Sequence, residues 1–237
     1  MTHAEAPRYE VKMPCPLHYL HGVSAWVRLD SAHWYAPYPQ RQINNIYFDT
    51  PDCQNLNENL AGSSDRSKLR LRWYGSSLNT ISRARLELKY REGAVIWKAI
   101  WPLDVTADLS GLSWSAVCRL LREAADVDAR LLLNQPVFPA LINSYRRRYY
   151  VTRDRTVRLT IDTDIKAYYQ RSTNRPNLRR PVYVADHAVV ELKAATDNLS
   201  YERLAEVIGR FPLRPDRHSK YAQGMLAAPD FEGVELL

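Results

Sequence analysis

Alternation of apolar and polar residues dominates the chain. In a strand, side chains at i, i+2 and i+4 share one face. Lys68-Leu69-Arg70-Leu71-Arg72-Trp73 sets three cations against Leu69, Leu71 and Trp73. The stretch 83–91 sets Arg83, Arg85, Glu87, Lys89 and Arg91 against Ala84, Leu86, Leu88 and Tyr90. Gly75-Ser76-Ser77 between these two runs predicts a hairpin. Further strands are expected over 8–13, 42–49, 95–103, 145–151, 156–167, 182–184 and 188–194. Helical spacing of Leu17, Leu20, Val23 and Val27 predicts a helix over 16–29, opened by Pro16. Helices are also expected over 114–125 with Ser113 as N-cap, over 201–211 with Ser200 as N-cap and Glu202 and Glu206 on the polar side, and over 219–226. Residues 55–65 are polar and small and read as a loop, 136–144 as a connector, and 171–181 as a basic, proline-bearing loop. The acidic tail after Ala228 is expected to be mobile. No repeat, linker or low-complexity tract interrupts the pattern, so one domain over 1–237 is expected, with its core over about 8–226.

The charged positions fall on one face of each strand. Arg8, Glu10 and Lys12 lie opposite Tyr9 and Val11. Arg158, Thr160 and Asp162 share a face, as do Glu191 and Lys193 opposite Val190 and Leu192. An antiparallel sheet with one wet face is the plain explanation for any single strand. Such faces usually mix signs, because like charges directly opposite each other repel. Here five strands are rich in cations and the acids appear singly. A sheet closed with this face inward concentrates the field in a cavity, and an anion there relieves the repulsion. The amphipathic helices would then cover the apolar outside. The fold class is α+β.

Net charge +7 points the same way. It favours nucleic acid, an acidic membrane surface or phosphate compounds as partner. The 15 tyrosines show no regular interleaving with basic residues, so a base-stacking platform for nucleic acid is not expected. No Gly-rich phosphate loop is present. No run approaches the ~20 apolar residues of a membrane span, and Met1 to Pro7 has the features of no signal peptide. Cys15, Cys53 and Cys118 match no disulfide or metal spacing and read as reduced thiols of a cytoplasmic protein. The histidines show no ligand spacing.

Several segments together resemble the triphosphate tunnel metalloenzymes, and within them the polyphosphate polymerase domain of the vacuolar transporter chaperone (VTC) type. They are Arg8-Tyr9-Glu10-Val11-Lys12, Tyr47-Phe48-Asp49-Thr50, Leu69-Arg70-Leu71-Arg72-Trp73-Tyr74-Gly75, Leu86-Glu87-Leu88-Lys89-Tyr90-Arg91-Glu92-Gly93, Tyr145-Arg146-Arg147-Arg148 with Val157-Arg158-Leu159-Thr160-Ile161-Asp162-Thr163, Val190-Glu191-Leu192-Lys193 and Ser219-Lys220-Tyr221. Each motif alone is weak; the ordered set, from about Arg8 to Tyr221, is fairly specific. The resemblance implies an eight-stranded antiparallel β-barrel tunnel with a basic interior, flanked by helices. It implies transfer of the terminal phosphate of ATP to inorganic polyphosphate with release of ADP, dependent on Mn²⁺ or Mg²⁺. By position, Lys12, Arg70, Arg72, Lys89, Arg147, Arg158 and Lys220 match phosphate-binding residues, Ser219 a phosphate contact and Glu191 the metal-binding acid. Arg147 is flanked by Arg146 and Arg148, and a one-residue slip of register would exchange them.

Two departures stand out. Hydrolytic members of the superfamily begin with Glu-x-Glu-x-Lys; here Arg8 holds the first Glu position, leaving Glu10 and Lys12. VTC-type proteins often carry regulatory or membrane-spanning segments, and this sequence shows neither, so a soluble domain or one docking to a separate membrane partner, peripheral to the membrane, is expected.

The residues themselves suit phosphoryl transfer, which asks for positioned phosphates and neutralised charge. Arg70 and Arg72, ~6–7 Å apart at the usual strand rise, offer two forks for phosphate oxygens. Lys89 and Lys193 add charge from other walls, and Lys220 can reach the γ-phosphate or the leaving bridge. A hard divalent cation needs one or two carboxylates besides phosphate; Glu191 is the first candidate, with Glu87 or Glu10 in support. Glu87 between Arg85 and Lys89 reads more readily as structural. A triphosphatase on the same fold and a non-catalytic polyanion-binding module are the alternatives.

Overall fold

A computed structural model describes residues 3–231. Its strands are β1 (His3–Pro16), β2 (Arg41–Asp49), β3 (Arg66–Tyr74), β4 (Thr80–Ile81), β5 (Ala84–Glu92), β6 (Val95–Leu103), β7 (Ala107–Asp108), β8 (Phe138–Val151), β9 (Val157–Tyr169), β10 (Tyr183–Val184) and β11 (His187–Ala195). The helices are α1 (Leu20–Leu29), α2 (Gln54–Leu60), α3 (Trp114–Ala124), α4 (Val127–Leu133), α5 (Asn198–Arg210) and α6 (Lys220–Leu226). Hydrogen bonds run in the order β9-β11-β1-β6-β5-β3-β2-β8, and β8 pairs back onto β9. The ring of eight long strands is therefore a closed antiparallel barrel, and closure leaves none of the eight with an open edge. The short β10 extends β9, and β4 with β7 forms a separate two-residue ladder.

The alternation resolves as expected: apolar faces point out under helices and charged faces point in. Leu69, Leu71 and Trp73 of β3 and Leu86 and Leu88 of β5 join Trp101 and Leu103 of β6 beneath Trp114, Val117 and Leu121 of α3. On the opposite side, Val190 and Leu192 of β11 and Val157, Leu159 and Ile161 of β9 pack with Val23 and Val27 of α1 and Leu204 and Val207 of α5. Each fully buried Leu or Val here contributes about 1.5–3 kcal/mol. Helices α3 and α4 are started by side-chain caps: Ser113 accepts from the Ala116 N–H and Asp126 from the Ala129 N–H, each worth about 1 kcal/mol.

Four expectations are corrected. The polar stretch 55–65 is not all loop, because α2 occupies Gln54–Leu60. Its propensity is poor, and Asp49 supplies the start: the carboxylate accepts from the N–H groups of Thr50, Asn55 and Leu56 and takes a hydrogen bond from the Tyr221 hydroxyl. The connector 136–144 is the first half of β8; Pro139 sits where the β2–β8 register shifts, the kind of position where a missing N–H costs nothing. The helix expected over 201–211 begins at Asn198, capped by Asp197 rather than Ser200. Helix α4 has no counterpart among the expected elements. Of the tail, Pro229–Phe231 forms a 3-10 turn, and residues 232–237 lie outside the described residues. No helix among the described residues is long and apolar enough to cross a membrane.

Candidate functional site: the charged tunnel

Strand parity delivers the inward charges. Register pairs on the inner face include Lys68 with Lys89, Arg70 with Glu87, and Arg72 with Arg85; Lys12 with Glu191 and Glu10 with Lys193; and Arg147 with Asp162. Arg147 is the inward member of its run. Arg146 is exposed beside Asp164, and Arg148 reaches outward to Ser24 of α1.

One wall centres on Glu87, whose side chain is 0% exposed. Arg70 donates to it from Nε and Nη2 at 2.9 and 2.6 Å, and Arg85, Lys98 and Arg72 approach at 3.2, 3.6 and 3.7 Å. Burial raises the Glu87 carboxyl's pKa, but Arg72, Arg70, Lys98 and Arg85 outweigh it and hold the group well below the usual range. Arg70 also donates to the Tyr47 hydroxyl, and Arg72 to Asn45 Oδ1 and the Tyr145 hydroxyl. These partners orient both forks and leave further N–H groups on each for a ligand.

The other wall carries acids in closer company. Lys89 donates to Glu10 at 2.6 Å, and Arg8 reaches Glu10 at 2.9 Å. Lys193 pairs with Glu191 at 2.8 Å. Arg147 grips Asp162 at 2.5 and 2.7 Å and lies 3.8 Å from Glu191. Lys220, projecting from the start of α6, reaches Asp162 at 2.7 Å. Glu10 and Glu191 lie within hydrogen-bonding reach of one another. Burial and the mutual repulsion push the Glu10 carboxyl up, yet Lys89 and Lys193 hold it below the usual range. Burial likewise opposes Lys193, Lys12, Lys89 and Arg147 at Glu191, and the cations prevail. Both carboxylates are thus ionised, buried and adjacent, Glu10 held by Lys89 and Glu191 by Lys193.

That pair suits a hard divalent cation, which takes oxygen ligands and completes its shell with phosphate and water. Among the described residues no three His, Cys, Asp or Glu side chains form a metal cage by themselves, so substrate oxygens would have to complete it. Further groups await a partner: the Thr160 hydroxyl, directly across from Glu191, and the Asn143 amide nitrogen are buried without one.

Helix α6 covers one end of the barrel. Tyr221 packs 5.1 Å from Tyr47, and a Cβ on Gly224 would lie 2.7 Å from Leu141 and Ala167 side-chain atoms, so only glycine admits this approach. Ser219 caps α6 and accepts from Lys68 at 3.0 Å, while Lys12 donates to the His218 carbonyl at 2.9 Å. Arg158 faces the tunnel opposite Lys193 but is exposed at the rim. Burial lowers Lys89 to about 7 and Lys98 to about 8, each partly offset by its carboxylate neighbours. Lys68 is pushed down by burial and then by Lys12, Lys89, Arg66 and Arg70, so cations repel one another where no acid stands between them.

Sequence reasoning missed the groups that aim the cations. Tyr47, Tyr145, Asn45 and Asn143 sit at inward positions of β2 and β8, where parity alone was the available signal. His218, read as ordinary, is buried with both ring nitrogens unpartnered; burial, then Lys220 and Lys12, drives its pKa down to about 2, so it stays neutral.

The VTC domain model matches residues 7–228. No curated protein matches the chain. Solved structures resembling it include a candidate adenylate cyclase from Vibrio parahaemolyticus, at 12% identity and TM-score 0.49 over 93% of this chain and 98% of that one. Another is a candidate adenylyl cyclase from Hippeastrum described as having a dominant triphosphatase activity, at 17% identity and TM-score 0.48 over 91% of this chain and 93% of that one.

Proposed function

The chain belongs to the VTC domain family, and from that premise and the charges of its tunnel we propose that it is an ATP–polyphosphate phosphotransferase dependent on Mn²⁺ or Mg²⁺. The observation that carries this reading is the ionised Glu10–Glu191 pair set among Lys12, Lys89, Lys193 and Arg147. A terminal oxygen of the polyphosphate chain attacks the γ-phosphorus of ATP, a new P–O–P bridge forms, the bond to ADP breaks, and ADP leaves with the electron pair. Arg70 and Arg72 hold oxygens of the transferred group. Lys12, Lys89, Arg147 and Lys193, with Ser219, hold the phosphates on either side, and Arg158 adds charge at the rim. Lys220, on the capped end of α6, steadies the charge on the bridging oxygen that departs. A divalent cation held by Glu191 and Glu10 would neutralise phosphate oxygens as charge shifts onto the leaving group.

The test is purified protein with ATP and Mn²⁺ or Mg²⁺, with and without a short polyphosphate primer, resolved on a gel by chain length. Long chains with matching ADP support the polymerase. Orthophosphate without chains supports a triphosphatase, the second reading, which the carboxylate pair also favours because such a site can activate water. Tight polyphosphate binding without either product would mark a binding module.

A further inference from the structure

Outside the barrel, where α1 lies beside β8, a cavity of about 310 Å³ opens to solvent. Leu20, His21, Ser24 and Arg28 of α1 bound it on one side, and Arg148 and Tyr150 of β8 on the other. Ser24 and Arg28 are four residues apart and so share a face of the helix. Arg148 donates to the Ser24 hydroxyl at 3.4 Å, which brings a second guanidinium to that face. Among the described residues neither Arg28 nor Arg148 forms an ion pair, and no carboxylate lines the cavity. The acids that neighbour these elements in the chain are engaged elsewhere. Asp30, at the end of α1, is held by Arg210 and Trp34. Asp154, between β8 and β9, faces Arg203, and Asp164 of β9 faces Arg146. Two like charges on one helix face repel, so the cavity gains from an anion. Arg147 and Arg148 project from opposite faces of β8, so a ligand here is separated from the tunnel by the barrel wall.

We propose that this cavity is a second, external binding site that takes a phosphate monoester. Its volume stands at the lower end of the ~300–1,000 Å³ usual for small-molecule sites, which suits one phosphate and a small carrier rather than a polymer. Each guanidinium offers a fork that matches two phosphate oxygens. The Ser24 hydroxyl donates to the Leu20 carbonyl at 2.9 Å and accepts from Arg148, so it holds Arg148 in place and leaves the ligand to the two arginines. The Tyr150 hydroxyl and the His21 ring supply further donors from either side. The monoester has two sources with the same chemistry: a free phosphorylated compound, or the headgroup of a lipid such as phosphatidic acid. Leu17, one turn ahead of His21, and Leu29, next to Arg28, are exposed apolar side chains that would meet the acyl region in the second case. The site does not depend on the reaction proposed for the tunnel.

The experiment is titration of the full chain with glycerol 3-phosphate, read by NMR at the Nε–H groups of Arg28 and Arg148. The readout is local, so phosphate entering the tunnel does not mimic it. Both signals are expected to move along one saturating curve. Losing a hydrogen-bonded charge is worth about tenfold or more in affinity. Arg28→Gln should weaken the curve at Arg148 by that factor, and Arg148→Gln the curve at Arg28. Arg179→Gln makes the same charge change on an exposed loop and should alter affinity by less than about twofold. A second arm sediments the chain with phosphatidylcholine vesicles, with and without phosphatidic acid. Binding that requires phosphatidic acid and is lost in Arg28→Gln and Arg148→Gln, but kept in Arg179→Gln, makes the lipid headgroup the source. Saturable glycerol 3-phosphate binding without vesicle binding makes it a free monoester. Shifts that do not saturate, equal losses in Arg179→Gln, or wild-type affinity in both cavity variants overturn the site and leave the tunnel untouched.

Discussion

The two walls of the tunnel use the same residue types to opposite ends. On the Glu87 wall one carboxylate is shared by Arg70, Arg72, Arg85 and Lys98. On the other wall Glu10, Glu191 and Asp162 stand among Lys89, Lys193, Arg147 and Lys220, and two of the acids face each other. A lone acid ringed by cations is already neutralised, and it serves to hold the guanidinium groups in place. Two ionised acids side by side repel and gain from a cation between them. The ratio of acids to cations around each carboxylate, more than its identity, separates scaffold from chemistry.

The sharpest way to break this comparison is to remove each centre in turn. Glu87→Ala leaves buried cations without their anion, and losing one partner of a buried pair costs about 3–5 kcal/mol. Thermal and urea unfolding are expected to show that loss, and addition of tripolyphosphate to restore part of it as phosphate replaces the carboxylate. A variant as stable as wild type would mean that the Glu87 wall is not structural. Glu191→Gln acts chiefly elsewhere. It takes the charged partner from Lys193 in a site crowded with cations, so some stability is expected to be lost, but metal-free polyphosphate binding should hold or improve, while turnover falls by about 10²–10³-fold, the scale of losing one electrostatic stabiliser. Turnover that survives Glu191→Gln would remove this residue from the metal site.

Much of this contrast was legible in the sequence. Alternation placed Arg70, Arg72, Glu87, Lys89, Arg147 and Glu191 inward, because the period of two is a property of the strand and needs no tertiary information. The pairing of strands far apart in sequence was not. Nothing local says that β1 lies between β11 and β6, so the meeting of Glu10 with Glu191 emerged only from closure of the barrel. Tyr47 and Tyr145 were hidden for another reason: a tyrosine at an inward position looks like core until its hydroxyl is seen to meet an arginine. Helix α2 was hidden because the carboxylate that starts it, Asp49, lies on the preceding strand.

The walls should also differ in how they titrate. Burial lowers Lys89, beside Glu10, to about 7, and Lys98, beside Glu87, to about 8. Bound phosphate favours the charged ammonium and raises both values, so metal-free tripolyphosphate binding takes up protons above these values. Affinity is expected to fall as pH rises from 7 to 9, by less than about tenfold per pH unit for each lysine. Titrations in buffers of different ionisation heat measure the uptake directly. Lys98→Met should remove the component centred near 8 and keep the one near 7. An unchanged proton uptake in that variant would show that Lys98 does not sense the bound phosphate.

The smallest effect is expected at the rim. Arg158 faces Lys193 across the β9–β11 ladder and makes no ion pair among the described residues. Its guanidinium stays in water, where a Debye length of about 8 Å at physiological salt screens it from a phosphate deeper in the tunnel. Arg158→Ala should therefore change KM by less than about threefold at 0.15 M salt and by more at low ionic strength, because an exposed charge acts mainly on encounter. Arg147→Ala, which strips Asp162 of a bidentate partner, should cost far more and show little salt dependence. If Arg158→Ala matched Arg147→Ala at high salt, a phosphate would have to sit at the rim itself, and the division between inner walls and outer rim would have to be redrawn.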